Sequence, residues 1–95
     1  MENMKPEELW QKALAGDQQA WQRLYELFGT RVYQFFLRNT RNAELAADKV
    51  QEVFLRIFKN RENFKYGSLK TWIFRIARNL LIDEWRRAGD RKSVV

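Results

Sequence analysis

With 95 residues and neither cysteine nor histidine, the chain is long enough for one domain and excludes disulfides, thiolate or imidazole metal sites, and any Ser–His or Cys–His nucleophile pair. The apolar fraction of 45%, with seven Phe, four Trp and three Tyr, supplies a modest core with bulky filling. The net charge of +6 is unevenly spread: residues 1–64 hold ten Lys/Arg against nine Asp/Glu, a balance of +1, whereas residues 65–95 hold eight against three, a balance of +5.

That asymmetry points to a polyanionic partner for the last third of the chain. Among four glycines there is no phosphate-cradling loop, no carboxylate pair sits in a recognisable site, and no apolar run approaches the roughly 18–20 residues of a membrane span. The polar, acidic start from Met1 to Leu9 is unlike a signal peptide. A cytoplasmic protein without catalytic activity, cofactor or membrane insertion is the expectation.

No alternating Val/Ile/Thr run signals a strand, and four helical stretches follow one another. The first runs from about Pro6 to Ala15: Pro6 suits a first helical position, Glu7 and Glu8 suit the positive end, and Gly16 stops it. The second opens on Asp17 as N-cap and runs to about Arg38. Its apolar residues Trp21, Leu24, Phe28, Val32, Phe35 and Phe36 recur at helical spacing, and Gly29 among them marks a bend or a close packing contact.

The third helix spans about Ala43 to Asn60 behind Asn42 as cap. Turned by about 100° per residue, it gathers Ala46, Val50, Val53, Phe54, Ile57 and Phe58 on a core side and Asp48, Gln51, Glu52, Leu55 and Lys59 opposite. Leu55 is a large apolar residue ringed by acidic and amide groups. A lone exposed leucine needs no explanation, but this setting also fits an apolar anchor of a protein contact.

After a loop from Arg61 to Gly67 that carries Lys65 and Tyr66, the fourth helix opens on Ser68 as N-cap and runs to about Arg87, with a short polar tail from Gly89 expected to fray. Leu69, Ile73, Ile76, Ala77 and Leu80 form its core side, Trp72 its edge, and Thr71, Arg75, Arg78, Asn79, Ile82 and Arg86 a stripe on the opposite side flanked by Lys70 and Arg87. Phe74, Leu81 and Trp85 widen the apolar arc, so the helix either meets several neighbours or offers aromatics to a ligand. Guanidinium and amide groups on one helix face suit phosphates and base edges, and rings beside them suit stacking on unpaired bases. A basic helix lying on an anionic membrane is the weaker alternative, because Asp83 and Glu84 interrupt it and the bundle needs its apolar side. An all-α bundle of four helices, one short and three long, over residues 1–88 is the resulting expectation.

Three ordered blocks of this sequence resemble region 2 of bacterial sigma factors of the extracytoplasmic-function (ECF) type: Gly16-Asp17-Gln18-Gln19-Ala20-Trp21 with Leu24-Tyr25, the run Ala47 to Phe58, and the run Gly67 to Arg87. The likeness covers about residues 7 to 88, with Lys49 standing where the family commonly has leucine. The resemblance implies a promoter-specificity subunit of RNA polymerase that opens DNA at the −10 element and holds the non-template strand. It implies that Asp48, Gln51, Glu52 and Leu55 dock on the clamp helices of the largest polymerase subunit. It further implies that the loop from Asn63 to Ser68 receives a base flipped out of the stack, and that the helix from Lys70 to Arg86 meets −10 DNA. The DNA-binding set so defined is Asn63, Lys65, Tyr66, Ser68, Lys70, Thr71, Arg75, Arg78, Asn79 and Arg86. Sigma factors of this type are often held by anti-sigma factors. A protein-interaction module that binds polymerase or an anti-sigma factor without reading DNA itself is the alternative. The family normally adds a second helical domain for the −35 element after a linker, and a chain ending just past region 2 favours a fragment over a single-domain form.

Overall fold

A computed structural model describes residues 3–94, with side-chain environments given for 3–89. The order is α1 (Pro6–Leu14), α2 (Gln18–Thr40), α3 (Ala43–Lys59), one 3-10 turn (Arg61–Asn63) and α4 (Leu69–Val94). No strand occurs among the described residues, and the expected all-α bundle of one short and three long helices is what forms.

Local chemistry explains the boundaries. Pro6 opens α1, and the Glu8 carboxylate accepts the Lys5 backbone N–H at 3.1 Å. The helix closes in a Schellman arrangement: Gly16, at φ +102°, donates to the Ala13 carbonyl, and Asp17 donates to that of Lys12. Asp17 then caps α2, accepting from Gln19 and Ala20 at 2.9 and 3.3 Å. Arg41 ends α2 in the left-handed region at φ +54°, and Asn42 caps α3 by accepting from Leu45 at 3.0 Å.

One core joins all four helices: Leu9, Trp10 and Ala13 from α1; Leu24, Phe28, Val32 and Phe36 from α2; Ala46, Val50, Val53 and Ile57 from α3; Leu69, Ile73, Ala77, Leu80 and Leu81 from α4. The α2–α3 hairpin is its frame, with α1 laid on α2 and α4 closing it against α3, α2 and α1. A ladder of aromatic rings runs through one end: Phe58–Trp21–Trp10–Trp72, with Phe64 against both Trp10 and Trp72. Gly29 is buried beside the Tyr25 ring inside an unbroken α2, and a Cβ there would meet that ring at 3.5 Å, an ordinary contact, so neither a helix break nor a clash calls for glycine.

Three expectations change, and one buried charge is new. Phe58, assigned to the core by rotation, is 49% exposed, because α3 ends one residue later and its ring leans on Trp21 and the Arg61 guanidinium instead. Trp21, Phe35, Phe54 and Ile76 are only half-buried, as is Ile82 of the supposedly solvent-facing stripe. Lys49 is buried, 5% exposed, its ammonium lying between Glu84 at 3.3 Å and Glu52 at 3.5 Å. Lastly, α4 does not stop near Arg87 but continues to Val94, since Gly89 keeps a negative φ and no proline interrupts the run.

Candidate nucleic-acid interface

The segment between α3 and α4 is built to project outward from two fixed points. Phe64 is buried against Trp10 and Trp72, at ring-centroid distances of 5.8 and 5.4 Å, and Leu69 is fully buried at the start of α4. Between these anchors Lys65, Tyr66, Gly67 and Ser68 are all exposed. Gly67 turns the chain at φ +100°, a conformation that side chains with a Cβ seldom adopt. Ser68 caps α4 as its position in the sequence predicts, its Oγ accepting the Thr71 N–H at 3.2 Å.

These features enclose an open depression of about 470 Å³ lined by Asn63, Phe64, Lys65, Tyr66, Gly67, Ser68, Thr71, Trp72 and Arg75. Its volume lies within the range of small-ligand sites, roughly 300–1,000 Å³. One wall is aromatic, from Phe64 and Trp72; the other groups are hydroxyl, amide and cationic. Asn63 is steadied by donating its side-chain N–H to the Asn60 side-chain oxygen at 3.4 Å. Tyr66 is 90% exposed, so its ring packs on almost nothing.

A second depression of about 500 Å³ adjoins the first along α4, lined by Lys70, Thr71, Phe74, Arg75 and Arg78. Thr71 and Arg75 border both. Eight of the ten residues expected to meet DNA thus fall on one continuous strip: Asn63, Lys65, Tyr66, Ser68, Lys70, Thr71, Arg75 and Arg78. Asn79 and Arg86 are exposed on α4 but line neither depression. Sequence periodicity missed Phe64 as a wall, because a loop residue has no period, and left Trp72 open between core packing and base stacking, because an edge aromatic suits either. Phe74 beside the basic residues was foreseeable from the wide apolar arc; its ring rests against Phe35 at 5.9 Å and stays half-buried.

The outer face of α3 forms a separate surface. Leu55 is 58% exposed, Asp48 and Gln51 are exposed, and Glu52 is half-buried through its contact with Lys49. Gln51 donates its side-chain N–H to the Tyr25 hydroxyl at 3.2 Å, extending this face onto α2. There a third depression, about 490 Å³, lies between the helices and is lined by Tyr25, Gly29, Tyr33, Val50 and Gln51 among others. Tyr25 and Tyr33 stand four residues either side of Gly29, a spacing that could have signalled this groove. No helix among the described residues is long and apolar enough to cross a membrane.

Comparison with known proteins identifies the family. Residues 24–91 match the family model for sigma-70 region 2, a span that begins inside α2 and takes in α3, the loop and most of α4. The chain is 38% identical over 77 residues to the ECF RNA polymerase sigma factor SigE of Mycolicibacterium smegmatis, covering 78% of this chain and 30% of that protein. It is 36% identical over 73 residues to the ECF RNA polymerase sigma factor SigW of Bacillus subtilis, covering 76% and 39%. A probable RNA polymerase sigma factor of Haemophilus influenzae is 48% identical over 61 residues, covering 63% and 31%. The chain therefore spans between 30% and 39% of the length of these curated relatives. With its fold, its three ordered blocks and these matches in accord, the chain belongs to the sigma-70 region 2 family and is a region 2 domain of the ECF sigma-factor type.

Proposed function

We propose that this domain confers promoter specificity on RNA polymerase by docking through α3 and capturing the non-template strand of the −10 element through the α3–α4 loop and α4. The observation that carries the reading is the continuous strip from Asn63 to Arg78: an aromatic-walled depression opening directly onto a basic one. A nucleobase turned out of its stack has a flat face for Trp72 or Tyr66 and polar edges for Asn63, Ser68, Thr71 and Arg75. The phosphates on either side would lie along Lys65, Lys70, Arg75 and Arg78.

Capture rather than chemistry drives strand opening in this account. Extracting a base costs a few kcal/mol. Stacking returns about 1–3 kcal/mol per base, well-formed pairs to base edges about as much, and phosphate contacts add a salt-dependent amount. These terms nearly cancel, so the isolated domain binds single strands weakly and opens promoters only when polymerase holds it in place. Asp48, Gln51, Glu52 and Leu55 are assigned to the clamp helices of the largest polymerase subunit, with Leu55 as the apolar anchor in a polar ring. The same surfaces suit an anti-sigma factor that covers them. Binding to single strands from a promoter opened by the full protein tests the proposal: affinity for the non-template −10 strand should exceed that for its complement. Equal affinity would remove base capture and leave the interaction-module reading, which the exposed Leu55 supports on its own.

A further inference from the structure

One contact ties the capture segment to a helix outside the span matched by the family model. The Glu7 carboxylate of α1 accepts the backbone N–H of Leu69 at 3.0 Å, bridging 62 positions of sequence at a half-buried site. Leu69 is the first residue of α4, and its N–H has no partner within the helix. A carboxylate satisfies that donor and lies at the positive end of the helix, where negative charge is favoured. Three residues on, and so on the same face of α1, Trp10 holds Phe64 and Trp72 at 5.8 and 5.5 Å. Helix α1 thus grips both ends of the exposed segment: Phe64 by ring packing and Leu69 by a charged hydrogen bond. The span left to Lys65, Tyr66, Gly67 and Ser68 is fixed by these two grips.

We infer that Glu7 is a positioning residue for base capture: it sets the start of α4 so that Ser68, Thr71 and Trp72 face the depression as a preformed pocket. This rests on the base-capture reading above. Without the Glu7 contact the first turn of α4 loosens, and the pocket must be ordered by the incoming base. Preference among bases then falls, while phosphate attraction from Arg75 and Arg78 persists. The same end of the helix is a natural seat for phosphate. A carboxylate already there turns the backbone of the strand away and leaves the pocket to the base.

The test uses the full chain and fluorescently labelled dT dodecamers carrying a single dA, dC or dG at the centre, with the all-dT strand as reference. For the unsubstituted protein the best and worst of the four strands should differ by at least about fivefold. Glu7→Ala should reduce that ratio below about twofold, and Glu7→Gln, which can still accept from Leu69, should restore most of it. Glu7→Asp keeps the charge but falls one methylene short of Leu69, so it should behave like Glu7→Ala, and it serves if the alanine variant loses α1. Asp17→Ala, which removes the α2 cap and lowers stability without touching the segment, should leave the ratio unchanged. Full preference retained in folded Glu7→Ala and Glu7→Asp overturns the proposal alone. No preference in the unsubstituted protein overturns it together with the base-capture reading.

Discussion

Lys49 on α3 and Glu84 on α4 form an ion pair of 3.3 Å in which the lysine side chain is 7% and the glutamate 15% exposed. Arg87 reaches the same Glu84 carboxylate at 3.8 Å, and Glu52 approaches Lys49 from the solvent side at 3.5 Å. This chain therefore joins α3 to α4 by charge as well as by apolar packing. Removing one partner of a buried pair leaves the other uncompensated.

Lys49→Ala should therefore destabilise the domain by about 2–4 kcal/mol, read as a lowered urea midpoint with unchanged slope. Lys49→Leu combined with Glu84→Leu should recover most of that loss, because apolar residues of similar volume often replace a buried pair without penalty. A double variant as unstable as Lys49→Ala would show that specific geometry, not charge burial, is what matters.

Charge reversal should separate the two surfaces. Arg75→Glu with Arg78→Glu should abolish binding to single-stranded DNA and leave polymerase docking intact. Leu55→Asp with Gln51→Ala should weaken docking at least about tenfold and leave DNA binding unchanged. Both are measured by titrating the purified domain against labelled strand and against polymerase core. If the two pairs lose the same activity, the assignment of faces is wrong.

Tyr66 offers a change with almost no structural consequence. Its ring packs on nearly nothing, so Tyr66→Ala should alter stability by less than about 0.5 kcal/mol. If the ring stacks on a captured base, the same change should weaken single-strand binding by about fivefold or more, corresponding to about 1–3 kcal/mol. Wild-type affinity in this variant would leave Trp72 as the stacking ring.

Phosphate contacts leave a signature in salt. Arg78 lines the basic depression but not the aromatic one, so Arg78→Ala should weaken binding to all single strands alike. The slope of log affinity against log salt should fall in magnitude by about 0.7. A change in base preference instead would move Arg78 from backbone to base contact.

Arg41 closes α2 at φ +54°, the single non-glycine residue with positive φ among the described residues. Arg41→Gly should raise stability by about 0.5–1 kcal/mol, because the left-handed conformation costs glycine little. Thermal unfolding reads this directly, and a lowered midpoint would mean that the arginine side chain holds the corner in some other way.

How much of this was legible beforehand follows from the range of each interaction. Asp17, Asn42 and Ser68 cap within three residues of themselves, so the helix starts were readable. The exposed Leu55 and the helical half of the strip, Lys70, Thr71, Arg75 and Arg78, lie on single helices and obey helical periodicity. Lys49 and Glu7 were not readable in these roles, since each depends on a partner tens of residues away that no local pattern announces. Phe58 misled because rotation assigns a face but does not say where the neighbouring helix stops covering it. The end of α4 misled for the opposite reason: Gly89 weakens a helix but does not break one.

The ladder of rings at one end of the core has an optical consequence. Trp21, Trp10 and Trp72 follow one another at 5.4 and 5.5 Å, close enough for excitation absorbed by any of the three to be shared among them. Trp72 also forms a wall of the aromatic depression, whereas Trp85 is half exposed and lies outside the ladder. A base seated on Trp72 would drain the emission of the whole set, leaving the red-shifted light of Trp85 as an internal reference. If the proposed capture of a base occurs at Trp72, the domain carries its own indicator of that event.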